Sequence, residues 1–87
     1  MAIKAKIVNR LGLHARPAMS FVDLAGEYRS AVLVRKGDQE VDGKSIMQMM
    51  MLAATQGTEI EIVCEGEDAE PCSAALRKLV ASGFDED

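Results

Sequence analysis

Residues 58–65 have the sequence TEIEIVCE, in which apolar and acidic side chains largely alternate. Ile60, Ile62 and Cys64 fall on one face and glutamates on the other, which predicts a strand with one buried face. Near the N-terminus, residues 3–8 (IKAKIV) alternate similarly, with lysines in place of the glutamates. Opposite charges across neighbouring strands favour pairing, so we expect these two strands to be adjacent.

Two more strands and three helices account for the rest of the chain. Residues 31–36 (AVLVRK) and 39–42 flank a Gly-Asp turn, which predicts a hairpin. Apolar residues spaced three and four apart predict three helices: one from 15 that ends near 26–28, one from 45 to about 54, and one from a cap at Asp68 to a stop at Gly83. The order β-α-β-β-α-β-α predicts an α+β fold, a two-layer sandwich with the helices on one face of the sheet.

Composition limits the classes of function. A chain of 87 residues is expected to form a single domain, 1–87, with a small core. Only 3% of the residues are aromatic and the net charge is -4, which argues against a nucleic-acid binder. No apolar run approaches the ~20 residues of a membrane span, and no signal-peptide core is present. We therefore expect no membrane insertion, and a cytoplasmic protein in which Cys64 and Cys72 are buried thiols.

The one histidine, His14, lies at the expected start of the first helix, within GLHARPA at 12–18. A helix start presents backbone N–H groups and partial positive charge, here including the amides of Ala15 and Arg16. An imidazole can carry a covalent group, and a guanidinium is well shaped to hold phosphate. Together these features would hold a phosphoryl group attached to His14. The alternative is a surface cap histidine beside an unrelated arginine, and nothing in the spacing suggests a metal site.

The second predicted helix offers two further features. Ser45 followed by Gln48 is a capping-box pattern, which alone explains the serine; phosphorylation at the same position is the functional alternative. The helix also carries a run of methionines, at 47, 49, 50 and 51. They span more than one helix face, so we expect some to be exposed, where flexible side chains suit several partners. A thioether copper site is a minor alternative.

Residues 12–18 and 44–47 (KSIM) together resemble the two motifs of the histidine-containing phosphocarrier protein (HPr) family of the bacterial phosphotransferase system. The element order, the length and the turn at 56–58 agree with that family. The resemblance implies an open-faced sandwich, with a four-stranded antiparallel sheet covered by three helices. It also implies that His14 takes a phosphoryl group on Nδ1 from phosphorylated Enzyme I and passes it to a histidine of an Enzyme IIA domain. Such a carrier has no cofactor and no turnover of its own.

The same resemblance assigns roles to other residues. Arg16 matches the arginine that stabilises the phosphoryl group, and Ser45 the serine modified by HPr serine kinase/phosphorylase. Met47 and Met50 match exposed apolar positions that dock partners. We expect Leu13 to join them in an apolar docking surface, with small and transient contacts, on a monomer.

Two features point to different branches of the family. Leu11 stands where many members of the sugar branch have a polar residue, and the ending 82–87 (SGFDED) resembles the nitrogen-related branch (NPr), whose members serve regulatory IIA proteins. Residues 44–47 resemble members that have a serine kinase. The acidic tail from Phe84 onward is expected to fray. Two rival functions remain: a regulatory binding module in which His14 is unused, and a metal carrier based on the methionine run.

Overall fold

The computed structural model describes residues 1–85, which form four strands and three helices. The elements are β1 (Ala2–Lys6), α1 (Ala15–Ala25), β2 (Ala31–Lys36), β3 (Gln39–Asp42), α2 (Ile46–Met51), β4 (Glu59–Glu65) and α3 (Ala69–Ala81), followed by a 3₁₀ turn at Gly83–Asp85. The order is the one that the sequence predicts.

The four strands form one antiparallel sheet in the order β1-β4-β2-β3. Lys4 lies opposite Glu61, and Lys6 opposite Glu59, so the charge pattern predicts the neighbouring strands correctly. The ammonium of Lys4 also lies 3.8 Å from a carboxylate oxygen of Glu59. Because these side chains are exposed, the pair contributes at most ~1 kcal/mol, and its main effect is on register.

The core lies between the sheet and the three helices. The predicted inner face of β4 is buried, and Phe21 of α1 and Leu76 of α3 have no exposed surface. Position 43 is a glycine, and a Cβ added there would meet both Val32 of β2 and Phe21 of α1. Helix α1 therefore covers the sheet closely at this point. The α+β open-faced sandwich is confirmed. Each fully buried aliphatic or aromatic side chain stabilises it by ~1.5–3 kcal/mol.

The second helix is shorter than expected, since α2 ends at Met51 and not near residue 54. Two tertiary features explain the early end. Ala53 has a left-handed backbone with φ of 52°, which no helix continues through. The ammonium of Lys36 lies 2.9 Å from the carbonyl oxygen of Leu52, so a residue of β2 satisfies a carbonyl at the helix C-terminus.

Asp68 is the N-terminal boundary residue of α3, but the prediction that its side chain caps the helix is wrong. Its carboxylate instead accepts the backbone N–H of Arg29 at 2.8 Å and of Ser30 at 2.9 Å, together with the Ser30 hydroxyl. These bonds, the Ser30 hydroxyl first, lower the pKa of Asp68. The carboxylate therefore ties α3 to the segment that precedes β2.

The expected fraying from Phe84 onward is also wrong where it can be compared with the structure. Phe84 packs into the core with 6% of its surface exposed, in the 3₁₀ turn that follows α3. Burying the phenyl ring contributes more free energy than ordering this short tail costs in entropy. The ring therefore anchors the turn. Residues 86 and 87 lie outside the described part of the chain.

Candidate functional site

The loop between β1 and α1 is held in place by backbone and amide contacts. The side-chain amide of Asn9, which is buried, donates to the Gly12 carbonyl at 2.7 Å. The Leu13 N–H donates to the Ala54 carbonyl at 2.8 Å, which joins this loop to the segment after α2. Gly12 has φ of 68°, and a Cβ there would lie 2.5 Å from the Ala54 oxygen. Both conformation and space therefore require glycine.

His14 follows this loop and is the N-cap of α1, as the sequence predicts. Its backbone is extended, with φ of -79° and ψ of -171°, and its carbonyl accepts the Ala18 N–H at 2.9 Å. The imidazole is half-buried and does not cap the helix. Ala15 and Arg16 are the first two helical residues, and both are exposed. In any helix, such N–H groups have no carbonyl partner within the helix, so they favour an anion.

Ser45 caps α2, as predicted, although only half of the capping box forms. Its Oγ accepts the Gln48 N–H at 3.3 Å. The Gln48 side chain does not return the bond to Ser45: its Oε1 accepts the Asp42 N–H at 2.8 Å. The Ser45 N–H donates to the Asp42 carbonyl at 3.1 Å instead. The serine is half-buried at the start of α2, and it carries the cap contact without the reciprocal one.

Three exposed methionines lie on α2, and we call Met47, Met50 and Met51 the methionine face. They are 74%, 47% and 71% exposed, whereas Met49 is 0% exposed. Spacings of three and four residues explain the division, since such positions share one side of a helix. Met47 and Met50 are exposed as the sequence predicts. Met51 was not predicted, although the same spacing rule identifies it.

Leu13 does not belong to an accessible docking surface. Only 4% of its surface is exposed, because the loop bonded to Ala54 turns its side chain into the core. The large apolar residues that this loop does expose are Val8, at 47%, and Leu11, at 68%. The prediction for Leu13 is therefore wrong. The bonds made by Asn9 and Ala54 were also missed, because they are loop contacts that no periodic pattern signals.

Residues 1–85 contain no candidate metal site and no helix that could cross a membrane. No group of three or more His, Cys, Asp or Glu residues there could hold a metal ion. The helices of this region are all too short or too polar to cross a membrane. Cys64 and Cys72 are buried free thiols with their sulfurs 3.6 Å apart, as expected for small core residues. Burial raises the pKa of Cys72 to about 12.

Comparison with known proteins identifies the class to which this fold and site belong. The PTS-HPr family model, described as the PTS HPr component phosphorylation site, matches residues 1–82. Phosphocarrier protein HPr of Pseudomonas aeruginosa is 46% identical, over 98% of this chain and 96% of its own. Phosphocarrier protein NPr of Proteus mirabilis is 41% identical, over 97% and 94%.

Solved structures agree. The crystal structure of HPr-C-His from Thermoanaerobacter tengcongensis has a TM-score of 0.95 at 39% identity and covers 100% of this chain and 98% of its own. An HPr dimer from the same organism has a TM-score of 0.78 at 40% identity, with 94% of each chain covered. This chain belongs to the HPr family, the phosphocarrier proteins of the phosphotransferase system.

Proposed function

We propose that His14 accepts a phosphoryl group from phosphorylated Enzyme I and passes it to a histidine of an Enzyme IIA domain. The observation that carries the proposal is the position of His14, at the N-cap of α1 with Arg16 two residues later, in a member of the HPr family. That position supplies backbone N–H groups and a guanidinium for an anion attached to the imidazole.

The transfer is a displacement at phosphorus. The lone pair of His14 Nδ1 forms the new P–N bond while the bond between phosphorus and its donor atom on Enzyme I breaks. The imidazole acts in its neutral form, because a protonated nitrogen has no lone pair to offer. The second transfer reverses these events on the IIA histidine. Because the group enters and leaves in the same way, this chain acts as a substrate of both transfers and not as an enzyme with its own turnover.

The transferring phosphoryl group is stabilised by positive charge close to its oxygens. That charge comes from the amides of Ala15 and Arg16 and from the guanidinium of Arg16. Negative charge on the phosphoryl oxygens is stabilised by helix N-terminal N–H groups and by a guanidinium. Neither contribution depends on a cofactor or a resident metal. The site therefore favours a phosphoramidate that is stable enough to travel and labile enough to leave.

Ser45 is proposed as the regulatory position, modified by an HPr serine kinase/phosphorylase. Its support is local: the hydroxyl caps α2, one residue before the helix that carries the methionine face. A phosphate on Ser45 would remain close to the N–H groups at the start of the helix. It would also add negative charge beside apolar side chains. Met47 and Met50 are proposed as the apolar part of the surface that meets Enzyme I and the IIA domain.

We further propose that this single domain works as a cytoplasmic monomer. Both transfers use one surface, which favours small contacts that form and separate quickly. The matches to HPr and NPr relatives leave two acceptor classes, IIA domains of sugar uptake and regulatory IIA proteins of the nitrogen-related branch. A side-by-side transfer assay with one IIA of each class separates them.

The direct test is incubation with Enzyme I, phosphoenolpyruvate and magnesium, followed by intact-protein mass spectrometry. We expect an acid-labile gain of one phosphate in the wild type and none in His14→Ala. The variant should fold, since the imidazole makes no cap bond and its loss costs ~1 kcal/mol or less. Labelling of His14→Ala at the wild-type rate would contradict the proposal. Absence of labelling in both proteins would favour the binding-module or metal-carrier alternatives.

A further inference from the structure

The methionine face combines two properties that the carrier role leaves unexplained. Its three methionine side chains are exposed to solvent, and they occupy one side of a single short helix. Leucine at these positions would supply the same apolar surface with less conformational freedom to lose on docking. What methionine adds is a sulfur atom that oxidants can reach.

This face lies on the element that adjoins the loop between β1 and α1, which leads to His14. Leu13, directly before His14, donates to the Ala54 carbonyl at 2.8 Å, three residues beyond the end of α2. The backbone at Gly12 also lies against Ala54 and Thr55. Helices α1 and α2 pack on each other as well. A partner that reaches His14 therefore approaches a surface that α2 helps to form.

We propose that the methionine face is a reversible oxidation site, at which hydroperoxides switch off docking of Enzyme I. The proposal rests on the carrier function given above. Hydrogen peroxide transfers one oxygen atom to each sulfur: the S–O bond forms, the O–O bond breaks and water leaves. The sulfur is oxidised by two electrons and the peroxide is reduced by two. A dithiol-dependent methionine sulfoxide reductase reverses the change, releasing water and forming a disulfide on the reductant.

Oxidation changes the polarity of this surface without changing its charge. A sulfoxide is a strong hydrogen-bond acceptor, and an apolar partner surface must strip its water without supplying a donor. The fold should not change, because the modified side chains face solvent. Met49 has the same chemistry on the same helix, but its sulfur is enclosed in the core and is reached only when the structure opens. It therefore serves as an internal reference.

The first experiment follows the order of oxidation. The folded protein is treated with hydrogen peroxide, and peptide-resolved mass spectrometry measures sulfoxide at each methionine over time. We expect Met47, Met50 and Met51 to be oxidised before Met49. Oxidation of Met49 at the same rate as the other three would overturn the proposal, since the face would then have no special accessibility.

The second experiment connects oxidation to function. Wild type, Met19→Leu and the triple variant Met47→Leu/Met50→Leu/Met51→Leu are each compared with their own unoxidised sample in the Enzyme I assay. Met19 is 55% exposed on α1 and is the matched control for oxidation elsewhere. Oxidised wild type and oxidised Met19→Leu should show a KM for Enzyme I raised about tenfold, equivalent to ~1.4 kcal/mol of binding. The triple variant should not respond to peroxide.

The outcomes separate this proposal from the carrier function. Equal transfer by oxidised and unoxidised wild type would overturn the oxidation switch alone. An equal loss in the triple variant would do the same and would implicate the oxidisable residues that all three proteins retain, which are Met1, Met49, Cys64 and Cys72. Recovery of KM after treatment with a sulfoxide reductase supports the switch. If unoxidised wild type accepts no phosphoryl group, the carrier function itself is wrong and the switch falls with it.

Discussion

At the scale of single residues, the candidate site depends on how the preceding loop places two side chains. His14 and Arg16 follow a loop whose shape is set by Gly12 and by the bond from Asn9 to the Gly12 carbonyl. The motif in the sequence was sufficient to predict that His14 lies at the N-cap of α1 with Arg16 in its first turn. It was not sufficient to predict the loop contacts, or the burial of Leu13, because these depend on Ala54, which is distant in sequence.

Arg16 is expected to act on the rate of transfer and not on the fold. Its side chain is exposed at the first turn of α1, so Arg16→Ala should leave the thermal midpoint nearly unchanged. Losing one charge-assisted contact to the transferring group costs ~1.5–3 kcal/mol, or about one to two decades in rate. Rapid-quench transfer kinetics with Enzyme I measure it, with Arg16→Lys as the control that keeps the charge. Rates within twofold of wild type would show that Arg16 is only a surface charge.

Gly12 is expected to set the position of the loop between β1 and α1. Gly12→Ala adds a Cβ 2.5 Å from the Ala54 oxygen, in addition to the ~1–2 kcal/mol that a left-handed backbone costs a residue with a side chain. The loop must move, so hydrogen exchange at the Leu13 amide should become faster. Gly37→Ala is the matched control: its φ is also positive, at 58°, but a Cβ there meets nothing. Equal losses of stability in the two variants would show that the contact with Ala54 does not matter.

At the scale of elements, the sequence predicts what depends on neighbours along the chain. Alternation gives the strands, and the lysine and glutamate pattern gives the pairing of β1 with β4. The end of α2 could not be predicted in this way, because it depends on Lys36 of β2 and on the backbone of Ala53. The function of the Asp68 carboxylate was missed for the same reason. Its partners come from the segment before β2.

Ser45 tests whether the start of α2 is a structural cap or a switch. Ser45→Asp keeps an acceptor for the Gln48 N–H and adds charge at a helix N-terminus, so stability should change by less than ~1 kcal/mol. The charge lies near the methionine face, so the KM for Enzyme I should rise. Ser45→Ala should give the opposite pattern, losing ~1 kcal/mol of stability with a smaller change in KM. Melting curves and transfer kinetics on the same preparations decide between them.

At the scale of the whole molecule, one sheet brings the functional segments together. Strand β4 lies between β1 and β2, so the loop after β1 meets the segment that leads into β4. The Ile7 N–H donates to the Thr58 carbonyl at 2.8 Å, and the Gly57 N–H to the Ile7 carbonyl at 2.7 Å. These bonds extend the β1–β4 pairing toward the loop that precedes His14. The site is thus supported by the sheet as well as by the two helices.

Asp68 makes the stability of this molecule depend on pH in a predictable direction. Bonds from the Ser30 hydroxyl and the Arg29 amide lower the pKa of Asp68 below its ordinary value of 3.8 in the folded state. A carboxyl group with a lowered folded pKa stabilises the fold fully above its unfolded pKa. That contribution disappears as the pH falls through the folded pKa.

Urea unfolding as a function of pH measures this contribution. The stability advantage of wild type over Asp68→Asn should be largest near neutral pH and should shrink as the pH falls below about 4. The difference arises because only an ionised carboxylate accepts the Arg29 and Ser30 donors at full strength. Glu67→Gln removes an exposed carboxylate from the adjacent residue and controls for the change in net charge. An advantage over Asp68→Asn that stays constant down to pH values near 2 would mean that the tie between α3 and the segment before β2 does not depend on the charge of Asp68.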